Sequence, residues 1–207
     1  MTGDEMFTFF QEMNDGRSMN ETLFYQRLNL AKNKRERARD WVVLRTEDSS
    51  NQVSSSTTYE TAFTMPSRFI RTVGMYPIKL VSSTGAVIPL RLIPFKDRHL
   101  YQNSVGTFAI DYKNSQFYIM GSFGQTYTIH FTFIQGTADI DDTGTWDNFP
   151  SDFHPLLPLD VSFIERGQVG YDDINRQAAA FTGKDIGDIE DAMVLWNARL
   201  QVNDAGV

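Results

Sequence analysis

Residues 107–134 read TFAIDYKNSQFYIMGSFGQTYTIHFTFI. Tyr127, Ile129, Phe131 and Phe133 alternate strictly with Thr126, Thr128, His130 and Thr132. A period of two puts one face of an extended strand in a core and leaves the other wet or against a neighbour. Lys113-Asn114 and Gly121–Gly124 supply turns, so the stretch predicts the strands of an antiparallel meander.

Working upstream, the β signal extends to Trp41. WVVLRT, from Trp41, is rich in branched and aromatic residues, and RFIRTVGMYPIKLV, from Arg68, alternates unevenly through Phe69, Val73 and Met75. Thr84-Gly85 reads as a turn between KLVSS and AVIPLRLI, FKDRHLYQN as a single helical turn, and EDSSNQVSSSTTYET as an exposed loop or edge. Both ends of the chain read as helices. Met6, Phe9, Phe10 and Met13 share a helical face behind a possible Thr2 cap, with Gly16 as the stop. Ser18-Met-Asn-Glu21 fits a capping box, and Leu23, Phe24, Arg27, Leu28 and Ala31 keep helical spacing through to about Asp40. A last helix from about Asp185 carries Ile189, Met193, Trp196 and Leu200 on one stripe, with Asp185, Asp188, Glu190 and Asp191 near its positive end. The predicted class is α+β. N- and C-terminal helices form a bundle that brackets an antiparallel, barrel-like sheet, in one elaborated domain with helices over 2–40, a β region over 41–136 and helices over 150–201.

Composition narrows the function. At 207 residues and 41% hydrophobic, with 16 Phe, 8 Tyr and 3 Trp, the chain can bury a real core. A net charge of −7 disfavours adhesion to phosphate backbones and anionic membranes, and the absence of cysteine excludes disulfides, thiolate metal sites and cysteine nucleophiles. No apolar run approaches the ~20 residues of a membrane helix, so no membrane partner is expected. The opening MTGDEMFTFF starts with acids and has no long apolar stretch, so it does not read as a signal peptide, and folding in a cytoplasm is expected.

Four features carry possible chemistry. In NFPSDFHPLLPLDVSFIERG, from Asn148, the residues Ser151, Asp152 and His154 are the types of a hydrolase triad. Neighbours in one turn do not converge as nucleophile, base and orienter, whereas Ser151 or Asp152 as a helix cap with Pro155 or Pro158 in the first turn explains the same letters. In ADIDDTGTWDNFP, Asp139, Asp141, Gly144 and Asp147 match a calcium loop, but Thr143 and Pro150 stand where ligands belong, so a solvated acidic turn is expected. The run AKNKRERARD holds Lys32, Lys34, Arg35, Arg37 and Arg39 and suits a solvated helix face or a polar protein interface better than nucleic acid. Asn20-Glu-Thr22 is a glycosylation sequon read as chance. No P-loop or dinucleotide-type glycine pattern occurs. No catalytic, cofactor-binding or metal-binding residues are expected, and no enzyme.

The order of segments resembles the head-to-tail adaptor proteins of tailed bacteriophages. In that family a helix closes on a Trp, here Trp41, and a strand opens with a Pro-to-aromatic step, here Pro66 to Phe69. A hairpin ends in an aromatic strand, here Tyr127 to Phe133, and a Pro-x-x-Phe step, here Pro150 to Phe153, starts a helix packed back on the first. The resemblance spans about residues 18–200; the segments 2–15 and 47–62 are additions. It implies a structural virion protein in the neck, assembled in the host cytoplasm as a homo-oligomeric ring, commonly dodecameric. The ring docks on the portal protein, meets a downstream tail or nozzle protein, and passes double-stranded DNA without sequence-specific binding. On this reading Tyr127, Phe131, Phe133, Lys34, Arg35 and Arg39 are candidates for the ring interface. Met193, Trp196, Leu200 and Arg199 are candidates for docking on the portal. Phe153, Leu156 and Leu157 anchor the return to the helices, and His154 is expected at the surface or an interface. Two rivals stand beside it: an enzyme using His99, His130 or His154, and a β-rich carbohydrate- or host-binding module of a phage tail.

Overall fold

The computed structural model of the chain describes residues 1–14, 19–166, 175, 179 and 182–204. The fold is α+β and divides into two compact units. One is built from Met1–Leu44 with Gly136–Val207, the other from Arg45–Gln135.

In the first unit, α1 (Gly3–Met13) starts on a reciprocal cap: Thr2 Oγ1 accepts from the Glu5 N–H, and Glu5 Oε2 accepts from the Thr2 N–H at 2.8 Å. The predicted stripe Met6, Phe9, Phe10 and Met13 is buried. The proposed stop at Gly16 lies outside the described residues, as does the proposed Ser18 cap. The second helix, α2 (Glu21–Ala38), is capped instead by Asn20, whose Oδ1 accepts from the Leu23 N–H, and it ends two residues before Asp40. Leu23 is exposed, and Phe24, Leu28, Ala31, Lys32 and Glu36 are turned inward.

Trp41 does not open a strand. Asn197 Oδ1 accepts from the Val42 N–H, and Val42–Leu44 wind into a 3-10 turn, so a tertiary bond overrides the β preference of the two valines. A second 3-10 turn, Ser151–Phe153, leads into α3 (Leu156–Arg166), which packs on both α1 and α2. The last helix, α4 (Ile186–Asp204), buries Ile186, Ile189, Met193 and Asn197 and packs on both 3-10 turns.

The second unit is a curled, half-barrel sheet of nine strands: β1 (Arg45–Asp48), β2 (Gln52–Val53), β3 (Ala62–Thr64), β4 (Phe69–Thr72), β5 (Ile78–Ser82), β6 (Val87–Ile93), β7 (Thr107–Asp111), β8 (Gln116–Met120) and β9 (Tyr127–Gln135). The order is β1-β9-β5-β6-β7-β8-β3, with β2 and β4 also paired to β9. The sheet is mixed and not antiparallel throughout, because β6 and β7 run parallel. Residues 94–106, with a 3-10 turn at Phe95–Tyr101, form the crossover such a pair needs. The polar stretch read as a loop contributes β2, where Val53 is fully buried against β9. Ile129, Phe131 and Phe133 form the core with Ile78, Leu80, Leu90, Phe108 and Phe117, as their alternation requires.

Candidate functional site

The Ser151–His154 segment is a structural corner. His154 is 5% exposed, not a surface histidine. Its Nε2 lies 2.9 Å from the Phe149 carbonyl and so carries the proton donated there, which leaves Nδ1 to accept from the Met1 amine at 3.0 Å. Both ring nitrogens are thereby engaged within the helical unit. Neither Ser151 nor Asp152 caps a helix by a side-chain bond. A cleft of about 430 Å3 passes Ser151, Asp152, Phe9, Pro155 and Lys184, but His154 is not on its wall. The expected anchors Phe153, Leu156 and Leu157 are buried. The other two histidines stand apart: His130 Nδ1 lies 2.7 Å from Glu47 Oε1 on neighbouring strands, and His99 is exposed on the crossover.

The acidic loop is wired to the protein's own backbone. Asp141 Oδ1 accepts from the Gly144 N–H at 2.8 Å and from the Thr143 hydroxyl, and Asp147 Oδ1 accepts from the Thr145 hydroxyl. The loop in turn caps α1, with Gly3 N donating to Gly144 O and Asp4 N to Asp142 O. Among the described residues no three His or acidic side chains gather as a metal cluster. Tyr25 donates to Asp4 Oδ1 at 3.0 Å; partial burial and that bond hold its phenol above the ordinary tyrosine value.

The basic run is only partly a solvated face. Lys32 is completely buried, and its Nζ donates to the carbonyls of Thr137 and Ala138 at 3.0 and 2.7 Å. Glu36, also completely buried, accepts from the Thr137 N–H and hydroxyl and from Trp146 Nε1. Arg35 grips Asp160 with two bonds and reaches Glu190 at 2.9 Å. Burial alone would lower the Arg35 pKa, but these carboxylates raise it and keep the guanidinium charged. Burial pushes the Asp160 carboxyl up, against the pull of Arg35. Arg35 therefore bridges α2, α3 and α4 within one chain, whereas Lys34 and Arg39 are exposed.

The candidate contact residues sort by burial. Phe131 and Phe133 are each 1% exposed and belong to the core of their own sheet; Tyr127 is half-buried beside Phe123. Met193 is buried as well. Trp196 is half-buried against Phe149 and Phe153 at centroid distances of 6.0 and 5.5 Å, Leu200 is half-buried, and Arg199 is exposed. The apolar stripe read from the last helix is its inner face. Its outer face carries Leu195 and Val202, 59% and 57% exposed.

No protein-family model matches the chain, and no curated protein matches it. The residues that sequence reasoning missed are Lys32 and Glu36, which fix Thr137, Ala138 and Trp146 to α2. Their signal is present: positions 24, 28, 32 and 36 continue one helical face, and two charged residues stand on the apolar side of it. The outward pair Leu195 and Val202 was equally legible as a seven-residue spacing.

Proposed function

We propose that the chain is an adaptor subunit in the neck of a tailed-phage virion. Copies close into a ring, by resemblance a dodecamer, that docks on the portal, meets the tail or nozzle and lets double-stranded DNA through, with no chemistry of its own. One observation carries this reading. The Pro150–Phe153 corner starts α3, which packs back on α1 and α2, while the whole β unit is inserted between Leu44 and Gly136. That is the segment order of the resemblance, with Trp41 closing the first helical stretch, Pro66 to Phe69 opening β4, and the aromatic β9 ending the β unit. Helices from both chain ends thus bracket the β region in sequence. The ring reading also agrees with large apolar side chains left outside, among them Met75, Leu100 and Leu195, since a subunit needs faces for its neighbours. A carbohydrate-binding module is less well supported, because Trp41, Trp146, Phe117, Phe131 and Phe133 are buried, and the exposed Tyr76, Tyr101 and Tyr112 stand on loops and turns, off the strand faces.

The test is co-sedimentation and particle imaging of the purified chain with portal rings of the same phage. The expected result is a ring stacked on the portal with matching symmetry. A folded chain that neither forms rings nor binds the portal at any concentration overturns the reading.

A further inference from the structure

The two units differ in charge. The β unit, Arg45–Gln135, holds eight Lys and Arg against five Asp and Glu, a net +3, while the helical unit holds eleven against twenty-one, a net −10. Around the crossover of the β unit, Arg91 and Lys96 are exposed and form no ion pair among the described residues. Among the described residues Arg98 makes neither a hydrogen bond nor an ion pair. Its guanidinium carbon lies 4.2 Å over the Phe95 ring and 5.3 Å from the Tyr118 ring, and its Nε is buried without an acceptor. Stacked aromatics hold such a guanidinium in one orientation, so its free donors are organised before any partner arrives. Leu92 and Leu100, 41% and 70% exposed, lie in the same segment.

A matching surface exists on α4. Asp188 and Asp191 are exposed and bond to nothing among the described residues, and Leu195 and Val202 follow them on the same helical face. The opposite face, Ile189, Met193 and Asn197, is buried. The loop acids are weaker candidates, since Asp141 and Asp147 already accept bonds from their own turns.

Resting on the ring reading above, we propose that neighbouring copies join head to tail, the crossover face of one β unit (Arg91, Lys96, Arg98) seated on the outward face of α4 (Asp188, Asp191, Leu195) of the next copy. Two unlike, complementary patches on one chain give a heterologous contact, the kind that closes rings. A second copy suits the basic face better than a phosphate backbone, because the whole chain carries −7 and repels polyanions at long range.

The experiment reverses each face in turn in the full chain and measures self-association by mass. Arg91→Glu with Lys96→Glu, and separately Asp188→Lys with Asp191→Lys, are expected to weaken assembly about a hundredfold, since like charges now face each other. All four side chains are exposed, so the fold should hold, and circular dichroism checks it. Mixing the two variants, or combining all four substitutions in one chain, restores opposite charges at every contact and is expected to restore assembly. Single-face variants that assemble like the wild type, a mixture that stays monomeric, or a wild type that never self-associates would each overturn the proposal. So would loss of duplex DNA binding in the basic-face variant with assembly unchanged, which assigns that face to phosphate. A fall in monomer stability without any rescue on mixing assigns the contact to a single chain and overturns it as well. Portal binding is measured separately: rescue without portal binding sinks the adaptor reading alone, and portal binding without rescue sinks this interface alone.

Discussion

Trp41 is 3% exposed, donates its Nε1–H to the Arg35 carbonyl at 2.9 Å, and meets the edge of Phe149 at 5.5 Å. Trp41→Ala is expected to cost about 3–5 kcal/mol in urea unfolding, as truncating a large buried aromatic does. A loss under about 1 kcal/mol would show that the residue is not part of this core. Glu36 is a different case, because it is completely buried and holds three donors from Thr137 and Trp146. Glu36→Ala strands all three of those buried donors, so a loss of about 3–5 kcal/mol is expected by the same measurement. His154→Ala removes acceptor and donor bonds to Met1 and Phe149 and is expected to lower stability by about 1–3 kcal/mol. A hydrolytic activity abolished by that substitution in a folded chain would contradict the structural role given to this corner. The importance of Trp41 was readable from its place at the end of a helical stretch. The inward turn of His154 was not, since its partners are the Met1 amine, 153 residues away in sequence, and a carbonyl whose direction only the folded corner sets.

The start of α1 and the acidic loop form a joint in which Gly3 has a specific part. A Cβ on Gly3 would run into the Asp141 carbonyl and crowd the Tyr25 ring. Gly3→Ala should therefore break the Gly3–Gly144 backbone bond and detach the loop, measurable as faster amide exchange at Gly3, Asp4 and Gly144 with α2 unchanged. Tyr25, bonded to Asp4 in the same joint, sets an alkaline limit. Its pKa is raised on folding, so its contribution is complete below the unfolded value of about 10. Above that pH the unfolded chain releases the proton while the folded chain keeps it, and stability falls as pH rises. Tyr25→Phe is expected to flatten that decline, and an unchanged slope would remove Tyr25 from the account. At this scale β9 was legible because one face of a strand repeats every second residue. The parallel pairing of β6 and β7 was not, since hydrophobic period fixes which face is buried and says nothing of strand direction. The 3-10 turn at Val42–Leu44 escaped for another reason: the acceptor that decides it, Asn197, comes from the far end of the chain.

For the molecule as a whole, α4 is first an internal element. Removing the chain from Gly183 onward takes away Ile186, Ile189, Met193 and Asn197, so the helical unit is expected to lose its cooperative unfolding, followed by tryptophan fluorescence. A truncated chain that keeps a sharp helical transition would place α4 outside the core. The α+β class and the helix-sheet-helix order could be read directly from period and caps. A β region was read over 41–136 within one domain; that the chain divides into two compact units, at Leu44/Arg45 and Gln135/Gly136, could not be read, because no proline- or glycine-rich linker marks either crossing. That inserted arrangement also has a consequence for synthesis. The β unit possesses all its strands as soon as Gln135 has left the ribosome, while α1 and α2 must wait for α3 and α4 before Phe10, Phe24 and Leu28 are covered. Domains fold as units during translation. Stalled chains ending shortly after Gln135 should therefore present a protease-resistant middle behind a greasy, cleavable amino-terminal arm, the segment a holdase chaperone would grip until the rest of the message has been read.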